Sequence, residues 1–463
     1  MKNILPFLML FVFSSAWAQV YKRPTFVKPE KTYKYRVYFT DKKHNTYSLK
    51  RPEAFLSEKS LERRKKYKIK VDQHDLPVTP LYVEYLNDHH FKVQNVSKWN
   101  NTAVVEVRDT SSIKELSEVN FIKDVRKVWE SQDSLLVYPP VDRLQIVSNQ
   151  RDTMTNVYGK AYRQVSMLNV NKLHQEGYKG DNMTIAIIDG GFYNADCIEG
   201  LKNCKVLGTR NFVTPERSVY EETQQHGTQV LSCIAANLPK CLVGTAPNAS
   251  FYLLISEDNY SENMIEEDNW CAAVEYADSL GVDVITSSLG YYKFDDPSAT
   301  HKYHELDGET ALNSRSASLA ASRGILVINS AGNEGDNAWK KIGFPADAKN
   351  ILSVGAVKAN GINTEFSSIG NTADGRIKPD VMAQGEYSAV LDCCGNVSTA
   401  SGTSFSAPIL CGAVTCLLQA FPKSTPEEII QAVHQSGDNV KYPNNIFGYG
   451  IPDMWKAYEI LNR

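Results

Sequence analysis

Three short segments in the second part of the chain combine the side chains that nucleophilic catalysis needs with local signals that would expose them. Thr184-Ile185-Ala186-Ile187-Ile188-Asp189-Gly190-Gly191 ends an apolar run in a carboxylate followed by two glycines. In parallel α/β sheets, functional groups gather at strand C-terminal ends. His226-Gly227-Thr228 precedes Val230, Ile234 and Ala235, whose spacing predicts a helix that starts at the imidazole. Ser401-Gly402-Thr403-Ser404-Phe405-Ser406-Ala407-Pro408 opens a strongly apolar helix, and a helix N-terminus favours negative charge on the Ser404 oxygen. Taken singly, the three read as a turn, a helix cap and a buried helix. Together they supply an acid, a base and a nucleophile. A neutral hydroxyl attacks a carbonyl poorly, so a base must take its proton, and His226 suits that task near neutral pH. Asp189 would fix the ring tautomer and stabilise the imidazolium without itself becoming protonated.

A frame must bring these groups together across gaps of 37 and 178 residues. Apolar segments at 184–188, 250–255, 282–286, 325–330 and 351–354 read as buried strands. Helical stretches at 226–236, 262–280, 312–323 and 404–420 fall between or after them. Such alternation predicts a parallel sheet with helices on both faces. The first part is built differently. Strands are expected at 33–40, 91–96, 103–107 and 121–129, with a serine-capped helix at 57–67, a short one after Thr79-Pro80 and another marked by Ile113, Leu116 and Val119. This is the β-α-β-β-α-β order of a small ferredoxin-like domain with an added helical piece. Residues 131–165 read as a connector.

Composition sets the outer bounds. With 463 residues, 42% hydrophobic and 22% charged, the chain is neither disordered nor collagen-like, and its length suits two or three domains. A net charge of −3 conceals an asymmetry: residues 21–130 carry +9, and residues 131–463 carry −13. Mutual attraction of the two parts is favoured over a nucleic-acid-binding arm, because apolar residues interrupt the basic run. Lys2, the apolar run 4–13 and Ala16-Trp17-Ala18 form an export signal with cleavage expected after Ala18. The run is too short to span a bilayer, and no later segment qualifies. Export predicts a soluble protein in an oxidising compartment, where nine cysteines can pair and leave at least one over. Cys197 with Cys204 and Cys233 with Cys241 are close enough to close small loops. No zinc-ligand spacing is present, so no metal site is expected.

The segments IIDGG, HGTQV, GTAPNA, SSLG, NSAGNEG, KPDVMAQG and SGTSFSAP, in this order, resemble the subtilisin-like serine peptidases of the subtilase family (peptidase S8) over residues 165–460. The resemblance implies an α/β subtilisin-like parallel sheet flanked by helices, with Asp189, His226 and Ser404 as the catalytic residues. It also implies an oxyanion hole from Asn333 and the backbone N–H of Ser404. Ser288, Leu289 and Gly290 would pair with the substrate backbone, and Ser330, Ala331 and Gly332 would wall the primary specificity pocket. Pro345 would follow a cis bond, and residues 448–453 would form the closing turn before a last helix. The first part is similar to the family's inhibitory, folding-assisting prodomain. There are departures: Tyr291 and Tyr292 follow Gly290 and are expected at the cleft rim, an insert at 291–311 carries Asp295, Asp296, Asp307 and Glu309, and Gln384 stands where relatives often have proline. The insert's carboxylates suit calcium, but without ordered loop spacing they read better as a solvated acidic loop.

The resulting division is a signal at 1–18, a prodomain with connector at 19–150 and a peptidase domain at 151–463. The expected product is a secreted, monomeric serine endopeptidase, made as a self-processed zymogen and needing no organic cofactor. Its partners would be a peptide or protein substrate and its own prodomain as intramolecular inhibitor, not nucleic acid, with no transmembrane segment. The alternatives are a catalytically inert secreted binding protein on the same scaffold, and an exopeptidase.

Overall fold

The computed structural model describes residues 25–133, 135–137 and 154–463. The expected export signal and most of the expected connector, with the processing bond expected in it, lie outside the described residues.

In the first part, β1 (Tyr33–Phe39), β2 (Lys92–Ser97), β3 (Thr102–Val107) and β4 (Ile122–Glu130) form an antiparallel sheet in the order β2-β3-β1-β4. This is the ferredoxin-like arrangement expected. Alternation buries Val37, Phe39 and Val105 on one face against Leu86, Phe91 and Leu116. Helix α1 (Glu58–Lys66) starts where the Ser57 side chain accepts the Ser60 N–H, and α2 (Pro80–Asp88) starts on its proline.

The second part holds a seven-stranded parallel sheet. Its strands are β5 (Thr184–Asp189), β6 (Lys205–Asn211), β7 (Ser250–Ile255), β8 (Val284–Ser287), β9 (Leu326–Ser330), β10 (Leu352–Val357) and β11 (Val381–Gln384), in the order β11-β10-β9-β8-β5-β7-β6. Period-two geometry explains why β5 is apolar throughout. Ile185 and Ile187 join the cluster that contains α3 (His226–Ala235) and α6 (Thr403–Ala420). Ala186 and Ile188 face the other way, into the cluster of α4 (Ile265–Leu280) and α5 (Leu312–Ser322). Neither edge strand was among those expected from the sequence. β6 reads KVLGTRN, with a glycine and charges that suit an edge, and β11 is only four residues inside a motif. Among the described residues α6 alone is long and apolar enough to cross a membrane, and it is buried in this core.

The two parts meet on α4, and the charge split noted in the sequence becomes buried ion pairs there. Arg36 of β1 grips Asp268 with two bonds of 2.6 and 2.7 Å. Asn95 of β2 donates to Asn269 at 2.7 Å. Glu275 accepts the Ser97 hydroxyl and the N–H groups of Lys98 and Trp99. Near the end of β4, Trp129 Nε1 donates to Asp258 at 3.2 Å, and just beyond it the Gln132 amide donates to the Tyr260 carbonyl at 2.5 Å.

The cysteine pairings expected from sequence are not formed: Cys204 and Cys233, one member of each pair, are free thiols. Cys233 lies inside α3, fully buried in the core, whereas Cys241 sits in a partly exposed turn after that helix. Closeness in sequence did not place the two sulfurs in one environment.

Candidate active site

β5 delivers Asp189 at its C-terminal end, fully buried. His226 is the first residue of α3, and its Nδ1 stands 2.8 Å from Asp189 Oδ1. Gly227 permits this approach, since a Cβ there would lie 2.5 Å from the Gly191 carbonyl oxygen and 3.1 Å from Asp189 Cβ. Burial, the largest influence on the ring, opposes its charge. The Asp189 charge and hydrogen bond, with a smaller contribution from Glu257, outweigh it and raise His226 above the ordinary imidazole value.

Ser404 is the second residue of α6 and nearly buried. Its N–H belongs to the first helical turn, where no carbonyl within the helix is available to accept it. Gly402, with φ of 148°, turns the chain into this helix. The Ser404 hydroxyl donates to the Ser288 carbonyl at 3.3 Å, and the Ser288 hydroxyl donates to the Ser404 carbonyl at 2.8 Å. Among the described residues no hydrogen bond joins Ser404 to His226. They line one cleft of about 410 Å³, and the His226 ring lies 5.8 Å from that of Phe405. A χ1 rotation re-aims a serine hydroxyl, and such bonds tighten when substrate arrives.

Asn333 follows β9 and lines the same cleft. Its Oδ1 accepts from the Thr403 N–H at 2.8 Å and the Thr403 hydroxyl at 3.0 Å. With its oxygen occupied, the amide leaves Nδ2 as the group available to a ligand. Thr403 also accepts the Gly332 N–H at 3.2 Å, which ties the wall 330–332 to the start of α6.

Ser288, Leu289, Gly290, Ser330 and Gly332 line the cleft at the ends of the neighbouring strands β8 and β9. Ala331 is fully buried behind them. The two tyrosines part company. Tyr292 reaches the cleft, stacks on Trp339 at 4.8 Å and donates to Glu334 at 3.2 Å. Tyr291, expected at the rim, is buried; it exchanges main-chain bonds of 2.8 and 2.9 Å with Phe344 and donates its hydroxyl to Glu257. Phe344–Pro345 is cis. In the insert, Asp307 accepts the N–H groups of Glu309 and Thr310, Asp296 that of Ser298, and Asp295 that of Glu262. Gln384 ends β11 and donates to the Glu386 carbonyl at 3.3 Å.

Sequence reasoning passed over Glu257, which lines the cleft beside Asp189 and His226. The available signal was its place two residues beyond Ile255, the partner of Asp189 in the sheet register. Burial, then the neighbouring carboxylates, push Glu257 up to about 7 against the pull of the Tyr291 hydrogen bond, and Glu262 up to about 8.

A parallel sheet, an Asp–His pair at one strand end and a serine at a helix start make up the architecture of a serine hydrolase. The subtilase family matches residues 180–450, and the peptidase S8 propeptide domain of Bacteroidota matches residues 34–136. This chain belongs to the subtilase family of serine peptidases and carries that family's propeptide domain. It is 30% identical over 289 residues to subtilisin NAT of Bacillus subtilis subsp. natto and to subtilisin E of Bacillus subtilis strain 168, covering 62% of this chain and 68% of each relative. It is also 30% identical to the human membrane-bound transcription factor site-1 protease, over 65% of this chain and 27% of that protein. The fold is shared with the epidermin leader peptide processing serine protease of Staphylococcus aureus, with a TM-score of 0.63 at 18% identity, covering 93% of this chain and 99% of that one.

Proposed function

We propose that the protein is an exported serine endopeptidase, made as a zymogen that cuts off its own first part. The observation that carries this reading is the 2.8 Å Asp189–His226 bond at the head of a cleft that also holds Ser404 and Asn333. In this reading Ser404 Oγ attacks the scissile carbonyl while His226 Nε2 takes its proton. Asp189 holds the ring with Nε2 towards the serine. The oxyanion is received by Asn333 Nδ2 and the Ser404 N–H, donors fixed before the charge develops. His226 then gives its proton to the leaving amine, and water releases the acyl group by the same route in reverse. Substrate pairs as an added strand with 288–290, held by main-chain bonds, while 330–332 wall the pocket that takes its side chain.

The proposed division is a signal at 1–18, a prodomain with connector at 19–150 and a peptidase domain at 151–463. The prodomain acts as inhibitor and folding aid, docked through α4. The chemistry uses side chains and backbone alone and draws on no organic cofactor.

Labelling of the processed chain by a fluorophosphonate tests the reading. Wild type is expected to label at Ser404, and purified Ser404→Ala neither to label nor to shorten. Shortening of purified Ser404→Ala at the wild-type rate would refute self-processing, and an unlabelled, inactive wild type would favour the inert scaffold.

A further inference from the structure

The cleft is lined by more acidic than basic side chains. Asp189, Glu257 and Glu334 line it, and none of the described residues that line it is lysine or arginine. Asp189 is engaged by His226, and Glu334 accepts from Tyr292. Glu257 is held differently. Its Oε2 accepts the hydroxyl of Tyr291 at 2.9 Å, and the two main-chain bonds between Tyr291 and Phe344 fix that phenol in turn. Among the described residues no donor to its Oε1 is recorded. The carboxylate is therefore oriented by one partner and has an acceptor to spare, next to the reacting groups.

We infer that Glu257 is a specificity-determining residue that receives a lysine or arginine side chain of the peptide substrate beside the Asp189–His226 pair. The inference rests on the peptidase reading and deepens it. A preoriented carboxylate makes charge-assisted bonds to an ammonium, and two parallel ones to a guanidinium. A neutral side chain would bury that acceptor unpaired, and an acidic one would be repelled, so the same group selects by attraction and by penalty. Oxygens of Glu262 and Glu266 lie within 4.8 Å of the Glu257 oxygen, and burial with the neighbouring carboxylates raises both above the usual carboxylate range. The chain's own connector supplies such a side chain: between residues 132 and 159 the only cations are Arg143 and Arg151.

The test is a set of peptides identical except for lysine, leucine or glutamate, placed in turn at each position on the acyl side of the scissile bond. Each is cleaved by the processed protein expressed as the full chain. At one position the wild type is expected to favour lysine over leucine by about tenfold in kcat/KM, the scale of one charge-assisted bond, with glutamate last. Glu257→Gln is expected to bring the lysine-to-leucine ratio at that position close to one. Should that variant fail to mature, the wild type still decides, because a preference that arises from charge weakens between low and high salt. The inference is overturned by leucine cleaved as well as lysine at every position, by a ratio that Glu257→Gln leaves unchanged, or by a lysine preference indifferent to salt. Any of these with cleavage intact leaves the peptidase reading standing; no cleavage and no fluorophosphonate labelling removes both.

Discussion

Asp278 of α4 receives Arg63 on Oδ1 at 2.5 Å and Arg64 on Oδ2 at 2.9 Å, so one fully buried carboxylate of the peptidase part ties down two arginines of the prodomain part. Lys98 adds a third contact at 3.2 Å. Burial works against the Asp278 charge, yet the three cations outweigh it and hold the carboxyl well below the usual range. Its contribution to docking is therefore present above the ordinary carboxylate pKa and is lost only as pH falls through the depressed value. Breaking a buried pair from one side leaves uncompensated charge and costs about 3–5 kcal/mol. Asp278→Asn is expected to weaken inhibition of the mature enzyme by the released prodomain by about 100-fold or more. An unchanged inhibition constant would show that this cluster does not govern docking.

The proposed oxyanion donor is open to a direct test. Asn333→Ala removes the amide that Thr403 orients, and turnover is expected to fall by ~10²–10³ with little change in KM. That magnitude is the one known for the equivalent loss in subtilisin, a relative, and is carried over. A fall confined to KM would assign Asn333 to substrate binding alone.

Activity should depend on pH with a definite sign. The base must be neutral to accept the serine proton, and His226 is raised above its ordinary value by Asp189 and Glu257 in spite of burial. The rate is lost as pH falls through that raised value, so the acid limb of kcat/KM should lie above the imidazole reference of about 6.5. Glu257→Gln removes one of the raising charges and should move the limb to lower pH on a neutral peptide. A limb that does not move would place Glu257 too far from the ring to matter.

Tyr292 bridges the two cleft walls through Trp339 and Glu334. Tyr292→Ala should remove that strut and the stacking, worth about 0.5–1.5 kcal/mol. The expected result in a peptide library is acceptance of bulkier side chains at the residue preceding the scissile bond. An identical cleavage profile would mean that the strut does not limit the pocket.

Thiol chemistry separates core from surface. Cys233, Cys271, Cys411 and Cys416 are buried, and desolvation, against hydrogen bonds with Thr286 and Thr415, pushes the Cys411 thiol up to about 12. Because the thiolate is the reactive form, these four should resist an alkylating reagent until the protein unfolds. Mass spectrometry of native and denatured samples counts them; labelling of any of the four in the native protein would contradict the packing.

Much of the architecture was legible because it is written in local rules. Period-two and period-3.6 patterns marked the central strands and the long helices, and the Asp-Gly-Gly, His-Gly-Thr and Gly-Thr-Ser segments sit where strand ends and helix starts place them. Edge strands β6 and β11 escaped, since an edge does not require continuous apolar sequence. What only the tertiary structure decided were relations between distant residues. Sequence marked Tyr291 and Tyr292 alike, but folding buried one and left the other in the cleft. Sequence gave a charge difference between two parts of the chain, but only packing on α4 converted it into specific pairs such as Arg36 with Asp268. Glu257 carries no motif, and its place beside His226 follows from the parallel register of β5 and β7. Local propensity acts over a few residues, whereas these contacts depend on which strands become neighbours and which faces they share.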